Sequence, residues 1–299
     1  MPILHAIVLG LVQGLSEFLP ISSSGHLEVV PWLLGWDDFA ARPDLETTFD
    51  VALHLGTLAG ATAYFRHDLV RLAAGGLNAL RPRRTPATVT VTEVSVPPSP
   101  GATAGAPQPD DGRLAWLLLA SAVPAALAGS LFEDVFAGIG ETKWLVGALL
   151  AGFGLVLLWA DRLRGERPAD DFRLRDALTM GLAQALALQP GVSRSGVTIT
   201  AARRLGFRRE AAARLSFLMS LPIIAGAALY EGLDVLAGEG IPAGFGAAFA
   251  SGVATSAITG WLAVWGTLRL VRTRTFTPFV VYRVAAGAIV IVVAVTGLR

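Results

Sequence analysis

Gln13-Gly14-Leu15-Ser16-Glu17-Phe18-Leu19-Pro20-Ile21-Ser22-Ser23-Ser24-Gly25-His26 is the stretch whose reading decides the fold. It lies inside an apolar N-terminal run, yet it carries a carboxamide, a carboxylate, three consecutive hydroxyls and an imidazole. Such groups are costly to leave unsatisfied in hydrocarbon, so their clustering implies a use. Gln13 and Glu17 stand four apart and share a helix face. Pro20 ends that helix, because it lacks an N–H and pushes the residue before it out of the helical region. The serines follow where a second helix begins, with hydroxyls suited to capping and N–H groups suited to an anion. The segment reads as a broken helix that carries a polar site.

The rest of the chain fits a membrane. Of 299 residues, 53% are hydrophobic and 16% charged, against about 25% charged in soluble domains. Mean hydropathy is +0.58. The length suits one polytopic membrane domain covering residues 1–299. The absence of cysteine excludes disulfides, thiolate catalysis and thiolate metal sites. A net charge of +1 argues against a nucleic-acid partner. The N-terminus lacks a basic stretch and a small-residue cleavage site, so no signal peptide is expected.

Six stretches, roughly 48–65, 114–132, 144–160, 211–230, 243–268 and 279–297, read as transmembrane helices. Two more, about 3–34 and 174–202, are apolar but interrupted at their centres by proline and hydroxyls. Each half is too short to cross, so both are predicted to be re-entrant helical hairpins. The charges agree with this count. Arginines crowd the loops after the first, third and fifth spans and the link at 203–209, whereas Asp37, Asp38, Asp44, Glu46, Glu133, Asp134, Glu141, Glu231, Asp234 and Glu239 fall in the others. The positive-inside rule then assigns every loop a side, provided that the first hairpin enters from outside and the second from the cytoplasm. The fold predicted is all-α and integral to the membrane, with six transmembrane helices and two opposed hairpins.

The two broken segments also resemble each other. Gly10-Leu11-Val12-Gln13 matches Gly181-Leu182-Ala183-Gln184, and Ser22-Ser23-Ser24-Gly25 matches Ser193-Arg194-Ser195-Gly196, both at an offset of 171. Pro20 and Pro190 are one residue out of step. Similar hairpins inserted from opposite faces form an inverted repeat, whose sites lie where the broken helices meet. That meeting brings Glu17, the serines, His26 and Arg194 together. By contrast, residues 81–113 are rich in Pro, Thr, Ala and Gly and are predicted to be a disordered cytoplasmic loop, with Val89–Thr92 a strand lacking a partner.

Each candidate residue has its chemistry. Arg194, between Ser193 and Ser195, presents a fork of donors that matches phosphate oxygens; otherwise it pairs with Glu17. Glu17 with Gln13 supplies hard oxygen ligands for a divalent ion, Mg²⁺ first and Ca²⁺ second, or else Glu17 is the arginine's counter-ion. Ser23 and His26, three apart, suit an imidazole acting as base toward a hydroxyl or a water. Ser22 and Ser24 either cap the helix or touch phosphate, Ser193 and Ser195 flank the arginine as phosphate ligands, and Thr198 lies one turn beyond it. Asp50 and His54 share a face near the outer end of the first span, as site-orienting groups or as an interfacial polar pair.

Q-G-L-S-E-F-L-P-I-S-S-S-G-H together with P-G-V-S-R-S-G-V-T resembles the two signature motifs of the undecaprenyl-pyrophosphate phosphatases, the bacitracin-resistance phosphatases. The similarity runs on through R-E-A-A-A-R-L-S-F-L-M-S-L-P. The resemblance implies removal of the terminal phosphate of undecaprenyl pyrophosphate in the bacterial plasma membrane, giving the monophosphate carrier used in cell-wall assembly. It also implies that the acid pair falls on Gln13 and Glu17, the serine and histidine on Ser23 and His26, and the arginine on Arg194. Glu28 stands where an apolar residue is expected. The mechanism expected is phosphoryl transfer at the outer face. Arg194 and a metal on Glu17 neutralise charge, and His26 deprotonates Ser23 or a water. A lipid-phosphate transporter with the same opposed hairpins is the other reading. A phosphatase of the type needing a second histidine after the arginine is excluded, because no histidine follows His67.

Overall fold

The computed structural model describes residues 1–40, 42–80, 110–140, 142–237 and 244–298. Among the described residues there are ten α-helices: α1 (Ile3–Phe18), α2 (Ser23–Leu34), α3 (Pro43–Ala79), α4 (Asp111–Gly140), α5 (Lys143–Asp161), α6 (Leu174–Ala185), α7 (Arg194–Arg204), α8 (Arg209–Ala237), α9 (Gly246–Val271) and α10 (Thr277–Thr296). Five of them, α4, α5, α8, α9 and α10, are long and apolar enough to cross a membrane. The chain is therefore an all-helical, multi-pass membrane protein.

The sequence predicted a sixth span at 48–65. Its helix, α3, runs for 37 residues but is not among the five. Glu46, Thr47, Asp50 and His54 on its first turns face a polar cavity, which lowers its hydropathy there. The predicted loop at 81–113 lies outside the described residues up to 109, as does the strand at Val89–Thr92. Asp111–Arg113 already belong to α4, which corrects that boundary.

Both interrupted segments break where proline chemistry requires. Leu19, before Pro20, is extended at φ −64°, ψ 140°, and Gln189, before Pro190, at φ −80°, ψ 125°. A proline's ring excludes the helical region for its predecessor, so both helices stop there. The four pieces α1, α2, α6 and α7 hold 16, 12, 12 and 11 residues. At about 1.5 Å per residue, each falls short of a core of about 30 Å.

The two halves pack alike. α1 lies along α9 while α6 lies along α4, and α3 and α8 touch each other as do α5 and α10. Matching positions make matching approaches. A side chain at Gly10 would drive into the Gly252 carbonyl of α9, and one at Gly181 into the Ser121 carbonyl of α4. Close backbone approach at small residues is how helices gain packing energy where lipid is as apolar as leucine. The largest buried cluster joins α1 to α8 through Phe18 and Phe217, whose rings meet edge to face at 5.5 Å.

Candidate functional site

The two helix breaks meet. After each proline the chain passes through a serine with positive φ, Ser22 at 78° and Ser193 at 75°, the only non-glycine residues so placed among those described. That backbone is disfavoured for a residue with a Cβ and persists only where its surroundings hold it. Each serine caps the helix that follows. Ser22 Oγ accepts from the Gly25 N–H at 3.4 Å and Ser193 Oγ from the Gly196 N–H at 3.1 Å. Gly191, with φ +93°, stands at the place in the second hairpin that Pro20 holds in the first. Its N–H crosses to the other hairpin and donates to Ser22 Oγ at 3.1 Å.

A residue absent from the sequence expectations holds this junction. Arg283 of α10 is fully buried. Its guanidinium donates to the carbonyls of Leu150 at 2.9 Å, Pro20 at 3.1 Å, and Gly191 and Val192 at 2.9 Å each. One side chain thus ties both hairpin tips to α5. An arginine inside the stretch read as the sixth span is an intramembrane charge, which is the signal that singles it out.

On the other side of the tips lies a cavity of about 760 Å³, lined by Glu17, Ser23, Ser24, Ser193 and Arg194 from the hairpins. Glu17 is 3% exposed and every contact of the cluster converges on it. Its Oε1 forms an ion pair with the Arg194 guanidinium. Its Oε2 accepts from Ser23 Oγ at 2.6 Å and from Gln13 Nε2 at 2.9 Å, with His54 Nε2 at 3.7 Å. The His54 Nδ1 faces the Asp50 carbonyl at 2.7 Å. A carbonyl only accepts, so Nδ1 carries a proton, and Nε2 is the ring nitrogen turned toward Glu17. His54 therefore belongs to the site, and Asp50 lines the same cavity.

Other candidates stand elsewhere. His26 is not placed against Ser23. Its Nδ1 faces the Ser22 carbonyl at 2.6 Å, its Nε2 meets the Tyr282 hydroxyl at 2.7 Å, and the ring stacks on that tyrosine. Both nitrogens are engaged, so the expected Ser23–His26 couple gives way to a Ser23–Glu17 couple. Thr198 turns from the cavity: its hydroxyl donates to the Arg194 carbonyl at 2.8 Å and shares a hydrogen with Ser216 at 2.6 Å. Ser195 Oγ donates to the Leu19 carbonyl at 3.0 Å, joining the hairpins, and Ser22 works as cap and crosslink. Ser23, Ser24 and Arg194 line the cavity together with Ser193, whose hydroxyl is also engaged with the Gly196 N–H and with Ser195.

At the mouth, Glu28 pairs with Lys143 at 2.6 Å, which gives that unexpected acid a structural partner. Glu46 stands near both. Desolvation, and then the Glu28 charge, hold its carboxyl above the ordinary range, with Lys143 opposing. Among the described residues no three His, Cys, Asp or Glu side chains group to cage a metal. Gln13 does carry a buried Oε1 without a hydrogen-bond partner beside the Glu17 carboxylate.

Known proteins match this chain from end to end. A relative from Pelobacter propionicus, named undecaprenyl-diphosphatase, is 46% identical over 100% of this chain and 99% of its own length. One of the same name from Geobacter sulfurreducens is 46% identical over 97% and 98%, and another from Elusimicrobium minutum is 39% identical over 97% of each. The profile described as bacitracin resistance protein BacA fits residues 6–289, a range that takes in both hairpins and the arginine bracing them. By that match the chain belongs to the bacitracin resistance protein BacA family.

Proposed function

We propose that this protein is an undecaprenyl-diphosphatase that hydrolyses the terminal phosphate of its prenyl diphosphate and so confers bacitracin resistance. The observation that carries the reading is the 2.6 Å hydrogen bond from Ser23 to Glu17, made beside Arg194 in a cavity large enough for a diphosphate headgroup. In the first step the Ser23 oxygen bonds to the terminal phosphorus, and its proton passes to Glu17 Oε2. The bond from that phosphorus to the bridging oxygen breaks, and the prenyl monophosphate leaves as an anion without needing a proton. His54 Nε2 then takes the proton from Glu17 and restores the carboxylate. A water oxygen bonds to the phosphorus as one of its protons passes to Glu17, and the bond from phosphorus to the Ser23 oxygen breaks. That oxygen regains a proton from Glu17, and inorganic phosphate leaves as His54 gives up its proton. Arg194 meets the charge on the transferred phosphoryl oxygens in a site of low dielectric.

A divalent cation, Mg²⁺ by the hardness of its donors or Ca²⁺, fits Glu17 together with the unpartnered Gln13 Oε1. Bound there, it supplies positive charge to the phosphate oxygens. In the membrane, α3, α4, α5, α8, α9 and α10 cross. The α1–α2 hairpin dips from the outer face and α6–α7 from the cytoplasm, as an inverted repeat. The acid-rich mouth and the basic loops support an outward-facing site in the bacterial plasma membrane.

Phosphate release from undecaprenyl diphosphate by the purified protein in detergent, with and without EDTA, tests the reading. Detergent offers no gradient, so release also separates hydrolysis from transport. Glu17→Ala and Arg194→Ala are each expected to abolish turnover, and near-normal rates in either would remove that residue from the chemistry. Rapid quenching with labelled substrate is expected to trap label on Ser23; an unlabelled enzyme under turnover would exclude the covalent route.

A further inference from the structure

We propose that Gln184 binds the prenyl-linked phosphate of the substrate, its carboxamide N–H taking an anionic oxygen where the first hairpin has a carboxylate. This rests on the diphosphatase reading above and names a second phosphate contact within it. Gln184 sits on α6, is 3% exposed and lines the cavity. Among the described residues neither atom of its carboxamide has a hydrogen-bond partner. Leaving both ends of a buried amide unmade is expensive, and such a group is kept where a ligand completes it.

The repeat says what is missing. Gln13 and Gln184 occupy the same place in the two hairpins, 171 residues apart. Four residues on, the first hairpin has Glu17, and Gln13 Nε2 donates to it at 2.9 Å. The second hairpin has Leu188 at that place, also on the cavity wall. Gln184 therefore keeps the donor and lacks the anion. A diphosphate brings anions of its own. The terminal phosphate belongs beside Ser23 and Arg194. Gln184 shares its part of the wall with Ala187, Leu188 and Ala125 of α4, on which α6 packs. That apolar surround suits the phosphate that carries the prenyl chain.

The test is steady-state kinetics of Gln184→Leu on undecaprenyl diphosphate. Inhibition by prenyl monophosphate and by inorganic phosphate, and thermal unfolding, are measured in the same detergent. The expected result is a loss of kcat/KM of at least about tenfold, the scale of one hydrogen bond to a charged group. The loss falls on KM, and prenyl monophosphate inhibits more weakly while inorganic phosphate inhibits as before. The unfolding midpoint holds or rises, because an unsatisfied amide has been replaced by an apolar side chain. Kinetics within twofold of wild type would overturn the assignment. So would a fall in unfolding midpoint, which marks a structural role, or weaker inhibition by inorganic phosphate alone, which marks the terminal phosphate. Should the leucine variant not be recovered, Gln184→Glu keeps the shape and sets a carboxylate against phosphate. It must then lose at least as much in kcat/KM, and near-normal activity in it overturns the proposal. Wild-type protein that released no phosphate would instead refute the diphosphatase reading itself.

Discussion

Replacing Arg283 by methionine removes the four hydrogen bonds by which that side chain ties both hairpin tips to α5. Four buried carbonyls, those of Leu150, Pro20, Gly191 and Val192, lose a charged donor at 2.9 to 3.1 Å. Bonds of this kind contribute about 1.5–3 kcal/mol each, so four set a gross loss of about 6 kcal/mol or more. Two effects reduce it. Methionine no longer carries the desolvation cost of a buried guanidinium, and water can enter the space left. The net cost expected is about 3–5 kcal/mol, the range for breaking a buried charged network. At about 2 °C per kcal/mol for a chain of this size, the unfolding midpoint should fall by about 6–10 °C. Activity should fall further than stability. Ser22 and Ser193 hold positive φ only while the tips are pinned, and each strained residue stores about 1–3 kcal/mol that relaxation would release. Ser23 and Arg194 follow those residues directly, so relaxation moves the Ser23 hydroxyl away from Glu17. Phosphate release measured well below the variant's own midpoint should be lower by at least about 100-fold. An Arg283→Met protein with turnover within about twofold of wild type at such a temperature would refute the view that Arg283 sets the geometry of the site.

Three other perturbations have defined outcomes. Tyr282→Phe removes the hydroxyl from His26 Nε2 and should slow turnover about fivefold, the scale of one neutral hydrogen bond, with the pH–rate profile unmoved; a shifted acid limb would return His26 to the role of base. His54→Phe removes from Glu17 the imidazole proposed as its proton acceptor, so labelled phosphoserine should accumulate in rapid-quench samples while turnover falls by about 100-fold; unchanged turnover would exclude His54 from the proton path. Glu46 has a raised carboxyl pKa, so its contribution to stability is full below the ordinary value and is lost as pH climbs through the shifted one. Glu46→Gln should therefore raise the unfolding midpoint at pH 7 and leave it unchanged near pH 3, and an equal shift at both would show that charge is not the cause.

What could be read from the residues alone depended on how local the physics was. The helix breaks at Pro20 and Pro190 were legible because a proline restricts its own neighbour. The Gln13–Glu17 contact was legible because helix spacing fixes it. Arg194 meeting Glu17, far apart in the chain, followed from the likeness of the two broken segments once the charged loops had put them on opposite faces. The His26 ring could not be oriented in this way, since its partner Tyr282 lies 256 residues away and nothing near His26 announces it. Thr198 illustrates the opposite failure: its hydroxyl satisfies itself on its own helix, a local habit of threonine that outcompeted the expected ligand role. Arg283 was visible as a charge in an apolar span, but its four carbonyl partners come from three separate segments, which only the fold brings together.

The repeat explains why a nearly symmetric scaffold holds an asymmetric site. Both hairpins share the proline break, the capping serine with positive φ and a glutamine nine residues before that serine, so they place equivalent backbone in equivalent positions. Chemistry enters where they differ. The residue after the strained serine is a hydroxyl in one hairpin, Ser23, and a guanidinium in the other, Arg194. The residue four after the glutamine is Glu17 in one and Leu188 in the other. Under the proposed function, a second carboxylate at 188 would set two anions against a diphosphate, and a second arginine at 23 would leave no nucleophile. Divergence at two positions would then give the anion cradle an attacking side and a binding side. The ion pair between Glu17 and Arg194 is the contact at which the two sides meet.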